Sequence, residues 1–494
     1  MVSEKGSLEE HTSLEDTTPT DDIQTVEGLV DKFGVNHKRL MFKIDIRVVP
    51  LLSILYLLAF LDRVNVSNAL VLGMDEDLNL TGLRPNIMLA VFFVSYCILE
   101  VPSNYMIKLW RPSKWLGLCM FLFGLITTLQ GLVQNYASIL VTRFFLGCAE
   151  ASAFPGCFYL LSMWYRRDEA QKRYSFFFSS TTLAGAFGGL LASALGKMDG
   201  VGGQAGWRWV FYIEGIVTCC VGVFMYFAIP DFPEDVKWLS PNEAQFIRAK
   251  LELDAGKSNR DVHMSFKDIM WVATDYRVWL AAFMYFGMIV PAYGYAYFSP
   301  TIVRTYGYSA IRTQLFSVPP WAAAFAAAMV MAFISDKARH RYLCAISLQV
   351  CAIVGFIMLL CIHDKRHVQY GALFLVASGL YSSMPILVCW TSTNFAGHHR
   401  RSIATAIQIG FGNTGGFIST FTFLSKDSPY YYLGYSIGLA FTVVSMICST
   451  IYLYVCHRDN VRRERGDADL AYSKLSDTRK AIAGDLNPSH RYYY

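Results

Sequence analysis

Residues 343–362 read LCAISLQVCAIVGFIMLLCI, a stretch of 20 residues without a charged side chain. A helix of about 20 apolar residues is long enough to cross a hydrocarbon core about 30 Å thick. The chain has 494 residues, of which 54% are hydrophobic and only 16% are charged. So apolar a composition is unusual for a soluble protein of this length. The sequence therefore predicts an all-α integral membrane protein.

Similar apolar stretches recur along the chain and predict twelve transmembrane helices in two groups of six. A polar connection at 230–276, with a predicted short helix at 241–253, separates two six-helix bundles at 45–229 and 277–456. Polar tails flank them at 1–44 and 457–494; the first lacks the apolar core of a signal peptide and is expected to be disordered. The predicted spans 1 to 12 lie near 48–72, 87–107, 114–133, 137–164, 174–196, 208–229, 278–299, 316–335, 343–362, 370–392, 402–424 and 434–456.

Basic residues cluster in every second connection between these spans. The net charge of +5 is thus explained by membrane topology, and no nucleic-acid partner is expected. By the positive-inside rule the basic connections, and with them both termini, are cytoplasmic, although Lys365 and Arg366 between spans 9 and 10 oppose this assignment. The clusters are Lys108, Arg111 and Lys114; Arg166, Arg167, Lys172 and Arg173; Lys337, Arg339 and Arg341; and Arg400 and Arg401.

Two acceptor sequons for N-glycosylation occur near the start of the first bundle. Asn79-Leu80-Thr81 lies in the first loop on the non-cytoplasmic side, so Asn79 is a predicted glycosylation site. Asn65-Val66-Ser67 lies within span 1, where no modification is expected. The cysteines lie almost entirely inside the spans, which predicts neither disulfides nor a metal site.

A glycine pattern repeats in the two halves. Parallel repeats joined by a long cytoplasmic connection are typical of transporters in which two bundles rock around a site at the midplane. Close packing of helices through small residues is the simpler interpretation of the glycines themselves. The pattern is Gly185, Gly188 and Gly189 in span 5 and, with the same spacing, Gly412, Gly415 and Gly416 in span 11.

Four charged residues inside apolar spans stand out: Asp62 and Arg63 in span 1, and Arg143 and Glu150 in span 4. A charge at the centre of a bilayer costs about 2.5–3.5 kcal/mol on insertion scales, so such residues indicate function or internal pairing. Seven residues at about 100° each place Arg143 and Glu150 on one helical face, roughly 10 Å apart along the axis.

These charges have the properties that a proton-coupled anion carrier needs. An arginine such as Arg63 can bind a carboxylate through two parallel hydrogen bonds, and a partly desolvated carboxylate can take up a proton. Asp62, Arg143 and Glu150 are therefore the predicted proton-coupling residues. The alternative is that all four only pair with one another and hold spans 1 and 4 together.

Further polar and aromatic residues could orient a small ligand. Each polar group could instead form a hydrogen bond between helices, and the aromatic rings could be packing surface. No phosphate-binding loop is present, so ATP-driven pumping and a bound cofactor are not expected. No nucleophile, base and orienting group come together, so an enzyme is not expected. The candidates are Asn65, Tyr96, Gln408 and Asn413, and the cluster Tyr293, Tyr295, Tyr297 and Phe298.

Several motifs resemble those of the major facilitator superfamily. Asp336-Lys337-Ala338-Arg339-His340-Arg341 resembles its loop signature, which implies a gating role for Asp336, Lys337, Arg339 and Arg341, and residues 143–147 resemble its span 4 motif. The first-half loop departs from the signature, because Leu109 occupies the place of the acid. Blocks at 61–65, 100–104, 206–209 with 213–215, 318–320 and 408–413 resemble the fungal allantoate permease branch of the anion:cation symporter family.

That branch includes carriers for nicotinate, allantoate, pantothenate and biotin. The resemblance implies proton-coupled import of a small organic anion or amphoteric molecule across the plasma membrane. A monomer is expected. It assigns anion binding and proton coupling to Asp62, Arg63, Arg143 and Glu150, and places Tyr96 and Asn413 in the site. Export of a carboxylated secondary metabolite, nutrient sensing without transport, and a vacuolar or other internal membrane stay open as alternatives.

Overall fold

The computed structural model describes residues 25–255, 266–338, 340–467, 472–473, 479–480 and 483–494. Every regular element within these ranges is a helix, and the twelve predicted spans are confirmed. Spans 1 to 6 are His37–Ala69, Arg84–Leu109, Pro112–Gly131, Tyr136–Glu150 continued by Ala153–Ser162, Arg167–Leu195 and Gly206–Ala228. Spans 7 to 12 are Tyr276–Arg304, Ala310–Ala338, Arg341–Cys361, Arg366–Asn394, His398–Ser419 and Tyr432–Glu464.

Ten of these helices are long and apolar enough to cross a membrane by length and composition, within the described part of the chain. Spans 2 and 11 carry Glu100, Gln408 and Asn413, and Glu100 meets Asn413 where the two bundles touch. Buried polar side chains therefore lie at the boundary between the bundles, where a substrate path is expected.

Span 4, which carries Arg143 and Glu150, is interrupted directly after Glu150. The helix stops at Glu150 and resumes at Ala153, and Pro155 lies in the first turn of the second segment. Proline has no backbone N–H and so cannot donate to the preceding turn. The break leaves the Glu150 side chain at the end of a helical segment, fully buried.

The N-terminal tail is not disordered over its described part. Residues Val26–Phe33 form a helix that begins at the Thr25 cap, and span 1 begins at His37, before the predicted boundary at residue 45. The disorder prediction overlooked the apolar spacing of Val26, Leu29, Val30 and Phe33, which gives the helix a packing face. Residues 1–24, which also fall under that prediction, lie outside the described residues.

The linker helix predicted at 241–253 is confirmed as Pro241–Ala255, and the N-terminal helix packs against it. The rings of Phe33 and Phe246 lie 6.4 Å apart. Lys250 in the linker helix donates to Glu169 at the start of span 5 over 2.8 Å, and Lys43 pairs with Glu243 at the same distance. The linker is thus fixed to the N-terminal bundle at the side of the basic connections, called the inner side below.

Residues 483–494, called the C-terminal strap, pack across the inner end of the C-terminal bundle. The backbone carbonyl of Tyr493 accepts hydrogen bonds from Trp390 over 2.9 Å and Asn394 over 3.0 Å. The buried Asp485 accepts from Arg400 Nε over 2.5 Å, and Arg400 also pairs with Asp275. Span 12 likewise continues to Glu464, beyond the predicted boundary at 456.

The repeated glycines mark where helices approach most closely, so the packing interpretation is confirmed. A Cβ on Gly189 would meet Gln314 and Ser317 of span 8, and one on its counterpart Gly416 would meet Phe93 of span 2. Both glycines therefore face the opposite bundle. The repeat makes the spans 5–8 contact and the spans 2–11 contact equivalent in their outer halves.

This equivalence ends one helical turn further toward the inner side. A Cβ on Gly185 would meet Trp321 of span 8 in the opposite bundle, whereas one on Gly412 would meet Tyr285 of span 7 in its own bundle. Spans 5 and 8 therefore stay in contact where spans 2 and 11 have separated. The separation creates a cavity that opens on one side of the bundle interface.

Candidate functional site

Arg63 lies at the centre of the candidate site and contacts both bundles. It is 2% exposed; its Nε donates to Glu150 Oε1 of span 4 over 2.5 Å. Its Nη1 donates to the Tyr293 hydroxyl of span 7 over 2.6 Å. Three helices from two bundles thus converge on one guanidinium group.

Aromatic rings surround this guanidinium. It lies 4.8 Å from the ring centre of Tyr96 and 5.2 Å from that of Phe92, within the range of cation–π attraction. Tyr293 stacks on Tyr297 at 5.9 Å and meets Phe93 edge-on at 5.1 Å. Sequence reasoning placed Tyr293 in an aromatic wall but did not identify it as a partner of Arg63.

The Asp62 side chain has a different partner from its neighbour Arg63. Asp62 Oδ2 accepts a hydrogen bond from Thr127 of span 3 over 3.0 Å. Adjacent residues on a helix point about 100° apart, so the two side chains leave span 1 in different directions. Asp62 and Glu150 are the two acids among the four charged residues, and in this structure Glu150 is the one that pairs with Arg63.

Arg143 and Glu150 retain unused hydrogen-bonding atoms although both are buried. Within the described residues, Nε and Nη2 of Arg143, Nη2 of Arg63 and Oε2 of Glu150 have no hydrogen-bond partner. Arg143 is 1% exposed. An unsatisfied charged group at such depth is costly, so this cluster has a strong capacity to bind an anion or a proton.

The remaining predicted ligand-orienting residues, Asn65, Asn413 and Gln408, differ in their hydrogen-bond partners. Asn65 is fully buried next to Gly188, and neither of its amide atoms has a partner in the described chain. Asn413 Nδ2 lies 3.5 Å from Glu100 Oε1 across the bundle boundary. Gln408 accepts instead from Thr391 of span 10 over 2.8 Å, so its contact stays within its own bundle.

A cavity of about 730 Å³ extends from the inner side of the bundles as far as span 2, without Arg63, Glu150 or Tyr293 in its described lining. Its deep end includes Glu100, and its inner end includes Tyr165, Arg401 and Leu251 of the linker helix. On the outer side the bundles are joined by hydrogen bonds of Asn86 to Thr420 and of Gln314 to Asn68. The structure is therefore closed on the outer side and open on the inner side.

The predicted gating loop lies at the inner junction of the bundles. Asp336 pairs with Lys172 of span 5 over 3.5 Å, and Arg341 donates to the Cys389 carbonyl of span 10 over 3.0 Å. Lys337 is exposed, and Arg339 lies outside the described residues. Asp336 is thus the member of this loop that connects the two bundles.

The structure also describes Asn79, the predicted glycosylation site, and Arg366 between spans 9 and 10. Asn79 is exposed in the turn between spans 1 and 2, with a φ of 51°. Arg366, which opposed the positive-inside assignment, donates to the Tyr306 carbonyl at the end of span 7 over 3.0 Å. No cluster of three or more His, Cys, Asp or Glu residues suited to a metal occurs in the part of the chain described.

Glu100 was not recognised as a site residue from sequence, although it carries the same signal as Asp62 and Glu150. It is an acid within an otherwise apolar stretch, and such residues indicate function. It is the first residue of the block at 100–104, which points only to a family resemblance. Tyr293 gave no comparable signal, because nothing in one sequence relates span 7 to Arg63.

Comparisons with known proteins agree with this architecture. Residues 52–420 match the family described as Major Facilitator Superfamily. The chain is 33% identical to the MFS-type transporter cnsO of Penicillium expansum over 473 residues, covering 93% of this chain and 91% of that protein. It is 27% identical to the high-affinity nicotinic acid transporter of Saccharomyces cerevisiae, covering 97% of this chain and 88% of that protein.

The fold is also similar to that of a solved transporter structure. A bacterial homolog of the human lysosomal transporter Spinster, inward-facing and unoccupied, superposes with a TM-score of 0.59 at 16% identity. The match covers 82% of this chain and 95% of that chain. The chain therefore belongs to the major facilitator superfamily and is a multi-pass membrane transporter.

Proposed function

We propose that this transporter imports a small organic carboxylate together with protons across the plasma membrane. The observation that supports this most is the position of Arg63, which pairs with Glu150 and also donates to Tyr293 of the other bundle. A carboxylate substrate can replace Glu150 at this guanidinium, because both are planar anions that accept two parallel hydrogen bonds.

Proton coupling follows from the charge balance of this exchange. Arg63 and Glu150 together are neutral; a bound substrate anion and a protonated Glu150 leave the site neutral as well. A neutral site can pass through the apolar centre of the membrane at far lower cost than a charged one. Substrate and proton therefore enter together, and each favours the binding of the other.

The neighbouring residues have supporting roles in this mechanism. Arg143, with unused N–H groups at the same depth, favours release of the proton from Glu150 or Asp62 once the substrate has left. Tyr96, Asn65 and Asn413 orient the rest of the ligand. Gln408 binds Thr391 through Oε1 and keeps an unused Nε2 within the described residues, so it can donate to the ligand as well.

The relative from Saccharomyces cerevisiae named for nicotinic acid, itself a small carboxylic acid, supports the substrate class. The proposal is tested by uptake into intact cells, with nicotinate, allantoate, pantothenate, biotin and ureidosuccinate as competitors, each beside its amide. We expect one acid to compete, its amide to fail, and accumulation to stop when a protonophore collapses the proton gradient. Equal competition by acid and amide, or accumulation that survives the protonophore, would contradict the proposal.

A further inference from the structure

Glu100 is a buried carboxylate that the proposed transport cycle does not use. It is 6% exposed and lies in the wall of the inward-open cavity. Its hydrogen bond is the long contact of 3.5 Å from Asn413 Nδ2. Among the residues that the structure describes, no lysine, arginine or histidine forms an ion pair with it. A carboxylate in such a place is costly unless a donor faces it.

The position of Glu100 relative to Arg63 is fixed by span 2. Tyr96 and Glu100 are four residues apart and therefore lie on the same helical face, about 6 Å apart along the axis. The Tyr96 ring lies 4.8 Å from the Arg63 guanidinium. A cationic group, an aromatic ring and an acidic group thus follow one another along the face of span 2 that meets Arg63, and the acidic group lies in the cavity wall.

We propose that Glu100, together with Asn413, binds an N–H donor of the substrate while Arg63 binds its carboxylate. The substrate is then a small amphoteric acid that carries a carboxylate at one end and a donor nitrogen at the other. This inference rests on the proposed function, because it takes the carboxylate at Arg63 as given. Asn413 suits the second anchor, since an amide both donates and accepts hydrogen bonds.

The transporter should distinguish acids that carry an N–H donor from acids that lack one. A plain carboxylic acid of the same shape would leave Glu100 facing an apolar group, with the cost of an unsatisfied buried charge. The transporter should therefore reject such acids even when they fit the cavity and bind Arg63 well. Two isosteric probes make the test: 3-(aminomethyl)benzoate, and 3-ethylbenzoate, in which a methyl group replaces the ammonium.

Inhibition of uptake by the two probes is compared between the wild type and Glu100→Gln. In the wild type we expect 3-(aminomethyl)benzoate to compete at least about tenfold more strongly, the size of one lost charged hydrogen bond. In Glu100→Gln the preference should fall to within a few-fold, because 3-ethylbenzoate no longer leaves a buried charge unsatisfied and competes at least as well as before. That retained competition also shows that the variant is folded and present at the membrane.

Three results would overturn the inference. They are equal competition by the two probes in the wild type, an unchanged preference in Glu100→Gln, and loss of proton-driven accumulation in that variant, which would make Glu100 a coupling residue. Failure of the proposed function itself is recognised separately with 3-ethylbenzamide. If 3-ethylbenzamide competes as strongly as 3-ethylbenzoate, the carboxylate site at Arg63 is wrong, whatever Glu100 does.

Discussion

Arg63 of span 1 and Tyr293 of span 7 are joined by a hydrogen bond of 2.6 Å across the boundary of the two bundles. Arg63 is at the same time paired with Glu150 of its own bundle. Any ligand that displaces Glu150 must therefore bind within contact distance of both bundles. Substrate binding and the relative position of the bundles are linked through this one guanidinium.

Replacing Arg63 with lysine tests the carboxylate site. Lysine keeps the positive charge but loses the planar fork that forms two parallel hydrogen bonds. We expect Arg63→Lys to reach the membrane and to bind substrate about tenfold to a hundredfold more weakly, the equivalent of one charged hydrogen bond. Competition binding to purified protein measures this affinity. Near-normal affinity would mean that Arg63 is only a structural partner of Glu150.

Replacing Glu150 with glutamine tests proton coupling. The amide keeps the shape and hydrogen bonding of the acid but cannot take up a proton. Glu150→Gln should therefore lose accumulation of substrate against its gradient while counterflow exchange of substrate continues. The matched control is Glu76→Gln, which removes an exposed carboxylate in the loop after span 1 and should accumulate normally. Uphill accumulation by Glu150→Gln would exclude Glu150 as the coupling site.

Asn79 tests the predicted topology and the glycosylation together. When the protein is made in a eukaryotic host, glycosidase treatment should increase its gel mobility. Asn79→Gln and Thr81→Ala should remove that change, whereas Thr81→Ser keeps the sequon and should retain it. Asn65, buried in span 1, should contribute nothing. A glycosidase effect that persists in Asn79→Gln would show that another site is modified.

The strap should contribute measurably to stability. Removing one partner of a buried ion pair costs about 3–5 kcal/mol in the free energy of unfolding. Because Arg400 keeps its pair with Asp275, we expect the loss in Asp485→Asn to lie near the lower end of this range. The midpoint of thermal unfolding measures this loss; it is obtained by heating samples of the purified protein and determining the folded fraction by size-exclusion chromatography. Ser489→Ala, an exposed position on the strap, is the control. Equal midpoints for both variants would show that the pair contributes nothing.

The fold and part of the candidate site could be predicted from the sequence because they depend on local properties of the chain. The twelve spans follow from apolar length, and Arg63 and Glu150 follow from the cost of charge in a membrane; both are properties of one stretch of chain. Whether Asp62 or Glu150 pairs with Arg63 depends on which face of span 1 meets span 4. Only tertiary packing decides that, so the sequence left both possible.

Contacts between distant segments account for most of what sequence could not predict. Tyr293 reaches Arg63 across 230 positions of chain, and the strap binds residues of spans 10, 11 and 12 that share no motif with it. The different surroundings of Gly185 and Gly412 depend on the inward-open state. A repeated pattern predicts equivalent positions but not which of the two interfaces has opened.

The strap also sets an order of events during biosynthesis. Residues 483–494 leave the ribosome after all twelve spans, so Arg400 is inserted into the bundle before its partner Asp485 exists. The inner end of the C-terminal bundle is therefore completed only after the last helix has been made. A chain truncated between residues 465 and 482 would keep twelve helices and still present an unfinished surface to cellular quality control.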